Sequence, residues 1–411
     1  RAGGASVPGS VWSGAFCEKE KKEVRMKKKF VGLFLSLLIL LASVCGCGQG
    51  AGAGSGSARV HDTDISQELA YEGSMELIYA ERFMVDYYTD GFSLVTINGN
   101  ERYLVVPEGK EAPGDLDGDI TVLYQPLDEI YLVASAVMDM FISMDALDTL
   151  SFTGTKADGW YLDDAREAVE SGQILYAGKY SAPDYEKILA EGCDLAIENT
   201  MVYHTPEVKE QLEKFDIPVL VDYSSYEEEP LGRTEWVKLY GLLTGRTEEA
   251  QDAFNSEQEA FASIGDTANM GKTVAFFYIT SNGEVNVRRP SDYLPKMIEL
   301  AGGTYLPQNL KEDENSRSST ISMQMEEFYA ASREADYIIY NSTIDGELSS
   351  IDELLGKSEL LEEFKAVQEG QVYCTTRDLY QSSMELGTIT ADIYGMLNGE
   401  EDNLVYLYRL K

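Results

Sequence analysis

Residues 193–221 read CDLAIENTMVYHTPEVKEQLEKFDIPVLV and decide the fold class of this chain. The short apolar runs 195–197 and 218–221 have the length and composition of buried strands. Between them, Thr205-Pro206 has the form of a helix start, and apolar residues recur at helical spacing over 208–215. A strand, a helix and a strand in this order form a βαβ unit, which predicts a parallel sheet with a right-handed crossover.

The same alternation of strands and helices recurs in the second half of the chain. Strand-like runs at 273–278 and 337–340 alternate with helical patterns at 293–300 and 325–332. Residues 233–264 contain helix formers throughout and no strand signal, so they predict one long helix between the halves. The predicted fold class is α/β, with two lobes of mainly parallel sheets joined by one long interlobe helix.

The domain bounds follow from these patterns. They are 69–231 for the N-terminal lobe, 232–268 for the interlobe helix and 269–411 for the C-terminal lobe. The first lobe has a β-rich start at 69–106, interrupted at Asp90-Gly91 and Asn98-Gly99. Both interruptions predict hairpin turns, while the role of this β-rich start remains open.

Residues 26–46 have the pattern of a lipoprotein signal peptide. Three lysines follow Met26, and the apolar run after them is too short to span a membrane comfortably. Small residues and cysteines follow the apolar run. Residues 1–25 are therefore expected to be an upstream, misassigned start.

The end of the signal resembles a bacterial lipobox. Cys47, preceded by Gly46, fits the lipidated position better than Cys45, although the choice between the two cysteines stays open. Residues 47–68 begin with a Gly, Ala and Ser-rich stretch, which predicts a lipid-anchored flexible linker. The expected location is the extracytoplasmic face of the cell membrane.

The charge of the chain excludes one class of partner. Its 411 residues include 71 Asp and Glu against 33 Lys and Arg, a formal net charge of −38. Such a chain repels polyanions, so nucleic acid is excluded as a partner. Attachment to an anionic membrane must then depend on the lipid rather than on basic residues.

Few residues are suited to binding a bare metal ion. The histidines are His61 and His204, whereas transition-metal sites in extracellular carriers use several imidazoles. Residues 115–119 are acidic, but Pro126 stands where a calcium loop needs its closing glutamate. No metal site and no cofactor are therefore predicted.

Several polar and aromatic residues follow the ends of predicted first-lobe strands: Tyr180, Asn199, Tyr223 and Ser225. Ligands of open α/β sheets bind beyond the carboxyl ends of the strands. These four residues are therefore candidate ligand contacts. Half-buried packing is the alternative explanation for the tyrosines.

From about Val122 to its end, the chain resembles the solute-binding proteins of ferric-siderophore, haem and vitamin-B12 importers. The resemblance depends on the order and spacing of several fragments. They are GKYSAPDYEKI at 178–188, CDLAI at 193–197, IPV at 217–219, LYGLLTGR at 239–246, IELAGG at 298–303, ADYII at 335–339 and AVQEGQVY at 366–373. The family fold is two α/β lobes bridged by a long helix, with the ligand in the cleft.

The resemblance also implies roles for particular residues. Arg288 and Arg289 lie where the family contacts its ligand, and guanidinium groups suit anionic oxygens. Pairing with surface carboxylates is the alternative for both arginines. Members of this family dock on the permease through one surface glutamate in each lobe, and the nearest matches here are Glu207 and Glu326. Both glutamates are also explained by their places near helix starts.

The resemblance implies a monomeric binding protein without catalytic activity, which delivers a small-molecule metal chelate to an ABC permease with its ATPase. Ferric siderophore, haem and corrinoid all remain open as the ligand. The alternative function is a ligand-sensing or enzymatic surface lipoprotein on the same fold, such as a carboxylate-based hydrolase. None of the sequence signatures of a serine-hydrolase elbow, a zinc-protease helix or a phosphate loop is present.

Overall fold

The βαβ unit predicted from residues 193–221 is present. Strands Leu195–Asn199 and Val219–Asp222 pair in parallel, and helix Pro206–Lys214 connects them. We call their sheet, whose described pairings are parallel, the first-lobe sheet. In spatial order its strands are Val219–Asp222, Leu195–Asn199, Ile130–Leu132, Leu150–Thr153 and Leu175–Tyr176.

The structure is a computed structural model that describes residues 61–265, 267–310 and 318–411. The predicted upstream start at 1–25 and the signal peptide at 26–46 lie outside the described residues. Cys47 and most of the predicted linker also lie outside them.

The second lobe contains a mixed sheet. Its central strands Lys272–Ile279, Tyr337–Tyr340 and Val372–Thr375 pair in parallel, and Gly303–Leu306 also pairs in parallel with the first of them. The antiparallel strands are Val285–Arg288, Thr320–Met323 and Leu407–Arg409. The turn at 280–284 is too short for a parallel crossover, so the chain returns antiparallel there. The predicted α/β fold class is confirmed, with antiparallel additions in this lobe.

The β-rich start forms a separate sheet, which we call the N-terminal sheet. In spatial order its strands are Tyr71–Ser74, Phe83–Tyr88, Ser93–Ile97, Glu101–Val106 and Ile120–Tyr124. The first four run antiparallel, and the last is parallel to its neighbour. Both predicted hairpin turns are confirmed, and Asp90 and Asn98 take positive φ angles of 63° and 49° in them. The sheet extends beyond the predicted end at residue 106.

The two faces of the N-terminal sheet pack against different partners. Phe83 and Val95 point to one face and join the main core of the first lobe. Leu94 and Leu104 point to the other face and pack with Ile65, which is buried. Residues 61–68 therefore lie against this sheet. The prediction of a flexible linker over 47–68 is corrected for this described part, which is packed rather than free. Ile65 is a single apolar residue in a polar stretch, which is too weak a signal to predict this packing.

The prediction of one continuous interlobe helix also needs correction. The segment is helical, but it consists of the helices Pro230–Thr234, Val237–Thr244 and Thr247–Ile264. Gly245 takes a left-handed conformation with φ of 70° and ends the second of these helices. The apolar stripe continues across this break, which is why periodicity alone suggested a single helix.

The remaining helices connect the strands of both lobes. In the first lobe they are Met138–Ser143, Asp163–Ser171 and Tyr185–Glu191, and in the second lobe they are Tyr293–Leu300, Met325–Ser332, Ile351–Leu355, Lys365–Gln368 and Leu386–Asn398. Short 3-10 helices lie at Thr89–Gly91, Ser135–Val137, Leu147–Thr149, Ala157–Gly159, Thr200–His204, Ser224–Tyr226 and Glu359–Glu363. A short antiparallel pair is formed by Gly178–Lys179 and Ala182–Pro183.

Two further sequence questions are answered within the described ranges. Cys193 and Cys374 are both free thiols, so they do not pair with each other. Burial raises the pKa of the Cys193 thiol to about 12, which keeps it protonated and unreactive. No helix in residues 61–265, 267–310 or 318–411 is long and apolar enough to cross a membrane.

Candidate functional site

The carboxyl-end edge of the first-lobe sheet faces the second lobe. Gln381 Nε2 donates to the Gly159 carbonyl at 2.8 Å, and Tyr161 N donates to Gln381 Oε1 at 2.8 Å. Ser383 Oγ donates to the Ala136 carbonyl at 2.6 Å. Each of these residues follows a strand end, and we call this contact region the interlobe seam. Open α/β sheets bind ligands at such edges, so the seam marks the candidate cleft.

Three of the predicted ligand contacts lie at or shortly after strand ends of the first-lobe sheet, and Asn199 is the last residue of its strand. Tyr180, Asn199 and Ser225 are all half-buried. Tyr180 packs against an apolar cluster of the first lobe. The Asn199 side chain accepts from Met201 N at 2.9 Å and caps the short helix Thr200–His204. Contact of these residues with a ligand stays a prediction.

Tyr223 is linked to the N-terminal sheet. Its hydroxyl donates to the Tyr203 hydroxyl at 3.0 Å, and Tyr203 donates in turn to Glu101 Oε1 at 2.7 Å. Tyr103 donates to the other oxygen of the same carboxylate at 2.9 Å. This chain of hydroxyls anchors Tyr223 beside the edge strand of the first-lobe sheet. Its partners come from a distant part of the sequence, so spacing could not predict them.

The predicted arginine pair is divided between two environments. Arg288 is 8% exposed and forms a bidentate ion pair with Asp292, with Nε–Oδ1 and Nη2–Oδ2 distances of 2.8 and 2.5 Å. Its Nη1 donates to the Tyr380 hydroxyl at 3.4 Å. Arg289 is half-buried, and its backbone N donates to the Ser319 carbonyl at 3.1 Å. Arg288 therefore already has a carboxylate partner, but this partner is the buried Asp292 rather than a surface carboxylate.

Arg233 is a candidate that sequence reasoning missed. It lies in helix Pro230–Thr234, and its guanidinium stacks on the Tyr293 ring of the second lobe at 4.6 Å. Arg288 contacts the same ring at 5.6 Å. No motif marks Arg233, and the one available signal was a lone arginine at the start of the interlobe segment of a very acidic chain.

Two buried carboxylates join the lobes at the start of helix Leu386–Asn398. Asp139 of the first lobe accepts from Met384 N at 2.7 Å, and Glu257 of the interlobe segment accepts from Gly387 N at 3.0 Å. Burial raises the pKa of Asp139 to about 7 and that of Glu257 to about 8. The contact between the lobes therefore contains groups that titrate near neutral pH.

The predicted docking glutamates are both exposed. Glu207 lies in the first turn of helix Pro206–Lys214, and Glu326 lies in the first turn of helix Met325–Ser332. Both positions are accessible to a partner, and docking through them stays a prediction.

Two carboxylates of the acidic loop at 115–119 pair with an arginine. Arg102 Nη1 lies 3.2 Å from Asp117 Oδ2 and 3.1 Å from Asp119 Oδ2, and Arg102 also pairs with Asp62. A guanidinium therefore stands where a cation would be needed. Within the described ranges, no group of three or more His, Cys, Asp or Glu residues is placed to hold a metal ion.

Two surface cavities lie away from the interlobe seam. They have volumes of about 430 and 460 Å³ and lie along helix Thr247–Ile264. Phe254 lines the first cavity, and Phe261 lines the second. Neither lining contains a predicted ligand contact, so cavity size alone does not locate the site.

A family profile described as "Periplasmic binding protein" matches residues 131–379. An uncharacterized lipoprotein of Methanocaldococcus jannaschii is 24% identical over 355 residues, which cover 81% of this chain and 81% of the relative. A second uncharacterized lipoprotein of that organism is 22% identical over 349 residues, covering 81% of this chain and 86% of the relative.

Solved structures share the fold of this chain. The periplasmic haem binding protein HutB of Vibrio cholerae superposes with a TM-score of 0.52 at 17% identity, covering 64% of this chain and 98% of that protein. An ABC-type Fe3+-hydroxamate transport protein of Saccharomonospora viridis has a TM-score of 0.53 at 17% identity, covering 66% and 93%. Identities this low establish the fold alone.

Proposed function

Because the chain belongs to the periplasmic binding protein family, we propose that it is a lipid-anchored solute-binding protein of an ABC importer. In this role it has no chemistry of its own, captures a ligand between its lobes and delivers the ligand to the permease with its ATPase. The interlobe seam is the observation that carries the proposal, because strand ends of both lobes meet there. The lipoprotein names of two relatives support anchoring through Cys47 on the extracytoplasmic face.

The proposed ligand is a metal chelate. The haem-binding and Fe3+-hydroxamate titles of two structures with this fold support an iron complex, namely haem or a ferric siderophore. A corrinoid is the other ligand of this class that we include. The many tyrosines near the cleft are compatible with a flat or aromatic chelate.

We propose that the ligand lies at the strand ends that border the seam. On the first lobe the contacts would be Tyr180, Asn199, Tyr223 and Ser225, and on the second lobe Arg289 together with the ion-paired Arg288. Arg288 would act mainly by holding Tyr380 and Tyr293 in place, since its fork is occupied by Asp292.

Titration of the full chain with a ferric siderophore, haem and cobalamin tests this function. One class should quench the intrinsic fluorescence saturably, and Arg289→Ala should raise its Kd by about tenfold because a charge-assisted contact is lost. Arg246→Ala is the matched control, since Arg246 pairs with the exposed Asp148 on another face. Saturable binding that Arg289→Ala leaves unchanged would remove Arg289 from the site. Failure of every class to bind to folded protein would contradict the chelate proposal.

Charge reversal tests the proposed docking. Glu207→Lys and Glu326→Lys should each reduce, by about fivefold or more, the stimulation of the reconstituted permease ATPase by ligand-loaded protein, since attraction becomes repulsion. Glu210→Lys and Glu327→Lys are matched controls, because these exposed glutamates lie on the same two helices. Equal losses in the controls would mean that general charge, rather than these two glutamates, governs docking.

A further inference from the structure

Arg233 is a buried charged side chain that has no ion-pair partner among the described residues. The residue is 4% exposed, and its Nε is enclosed without a hydrogen-bond partner. No carboxylate of the described residues lies within ion-pair distance of its guanidinium, and no described side chain forms a hydrogen bond with it. Almost every buried polar group in a folded protein has a partner, so an unpaired guanidinium at this position requires an explanation.

The nearby charged groups do not supply the missing partner. Asp222 is buried close enough for the charge of Arg233 to oppose the rise that burial causes in its pKa. Its carboxylate is already engaged by Tyr240 Oη at 2.7 Å and by Ser224 Oγ at 2.8 Å. Asp292, the carboxylate of the second lobe in this region, is held by both prongs of Arg288. Neither Asp222 nor Asp292 therefore forms an ion pair with Arg233.

Stacking on Tyr293 does not replace a counter-ion. The ring face lies 4.6 Å from the guanidinium carbon and offers a cation–π contact. Such a contact stabilises a desolvated cation less than the loss of hydration destabilises an unpaired buried ion. The ring instead holds the guanidinium plane in one orientation and leaves the edge with its donors for another partner.

The position of Arg233 is that of a ligand contact. It comes from the start of the interlobe segment, lies near the end of first-lobe strand Val219–Asp222, and stacks on a second-lobe ring. These elements meet where the two lobes join. An anion bound there would contact both lobes together with the segment between them.

We propose that Arg233 is the anion-recognition residue of the cleft and binds a carboxylate, phosphate or anionic chelating oxygen of the transported ligand. The proposal rests on the proposed function in one respect, because the anion is taken to belong to the transported ligand. The guanidinium fork would form paired, charge-assisted hydrogen bonds with two oxygens of the anion. Binding would thereby remove the free-energy cost of an uncompensated charge, which is how this site would favour anionic over neutral ligands.

A ligand-independent experiment tests the proposal first. Arg233→Met should raise the Tm of the ligand-free full chain by about 2 °C or more, because an apolar side chain replaces a buried charge without a partner. A purely structural arginine would give the opposite result, a lower Tm. Sodium citrate and inorganic phosphate, titrated at constant ionic strength, should raise the Tm of the wild type and have no effect on Arg233→Met. Arg246→Met is the matched control and should respond to these anions like the wild type.

A second experiment, the measurement of haemin affinity, tests whether the anion site binds the transported ligand. Haemin carries two carboxylates, and its affinity should fall at least about tenfold in Arg233→Met and recover partly in Arg233→Lys. If citrate and phosphate stabilise the wild type through Arg233 but no chelate binds, the anion site stands and the proposed metal-chelate function fails. If neither anion stabilises the wild type, or if Arg233→Met lowers the Tm, the anion site is wrong whatever the chelates do.

Discussion

Replacing Glu235 with alanine is expected to lower the free energy of unfolding by about 3–5 kcal/mol. This carboxylate is fully buried and accepts from Ile78 N, Tyr79 N and Ala80 N at 3.0, 2.8 and 2.8 Å. It also pairs with Lys238 Nζ at 2.9 Å. Its removal leaves backbone donors and a buried ammonium without their partner. Urea denaturation of the wild type and variant measures the difference.

The matched control is Glu228→Ala. Glu228 is exposed and lies near Glu235 in the chain, so its truncation should change the stability by no more than about 0.5 kcal/mol. Glu235→Gln keeps an acceptor of similar shape but loses the charge. Its loss of stability should lie between those of Glu228→Ala and Glu235→Ala. A loss below about 1 kcal/mol in Glu235→Ala would mean that water replaces the carboxylate.

This prediction bears on the role of the N-terminal sheet. Glu227 holds the same loop through Glu81 N and Arg82 N, each at 2.8 Å, and also accepts from Trp236 Nε1. The two glutamates therefore fasten the connection between the first strands of the sheet to the start of the interlobe segment. The N-terminal sheet is therefore attached directly to the segment that connects the two lobes.

The stability of the folded protein is expected to fall by at least about 2 kcal/mol between pH 5 and pH 8. Burial raises the pKa of Asp139 to about 7 and those of Glu257 and Glu198 to about 8. Both Glu198 carboxyl oxygens lack a hydrogen-bond partner among the described residues, which strengthens this effect. Urea denaturation at several pH values and constant ionic strength measures the dependence.

The direction of this change in stability follows from the number of protons that the folded and unfolded states bind. Between the unfolded pKa values near 4 and the raised folded values, the folded state binds more protons than the unfolded state. The contribution of these carboxyls is therefore fully present below about pH 4 and is lost as the pH rises through 7 and 8. Exposed groups with lowered pKa values, such as Asp115 and Glu353, act only at lower pH and do not affect this interval.

A pair of variants on one helix isolates the buried group. Glu257→Gln should flatten the dependence of stability on pH, because the amide still accepts from Gly387 N and does not ionise. Glu259→Gln, at an exposed position of the same helix, should leave the slope unchanged. A stability that is level or rises from pH 5 to pH 8 would contradict the assignment of these raised pKa values.

Local patterns were enough to predict much of the fold. The βαβ unit at 193–221 and the hairpin turns at Asp90-Gly91 and Asn98-Gly99 depend on residues adjacent in the chain, and both predictions are confirmed. The break at Gly245 was missed because the apolar stripe continues across it. The second-lobe edge strands were missed because their pairing depends on a partner strand rather than on their own periodicity.

The candidate site combines features that follow from the sequence alone with features that depend on tertiary packing. The sequence by itself determined the alternation of strands and helices, and therefore that Tyr180, Asn199 and Ser225 lie at or shortly after the ends of strands. Whether Arg233 has a charged partner was decided by the tertiary structure alone. Arg288 pairs with Asp292, only four residues further along the chain, whereas Arg233 is buried against the Tyr293 ring with no carboxylate of the described residues within ion-pair distance. Side-chain charges interact through space over a few ångströms, and the distances between residues far apart in the chain exist only once the lobes have packed.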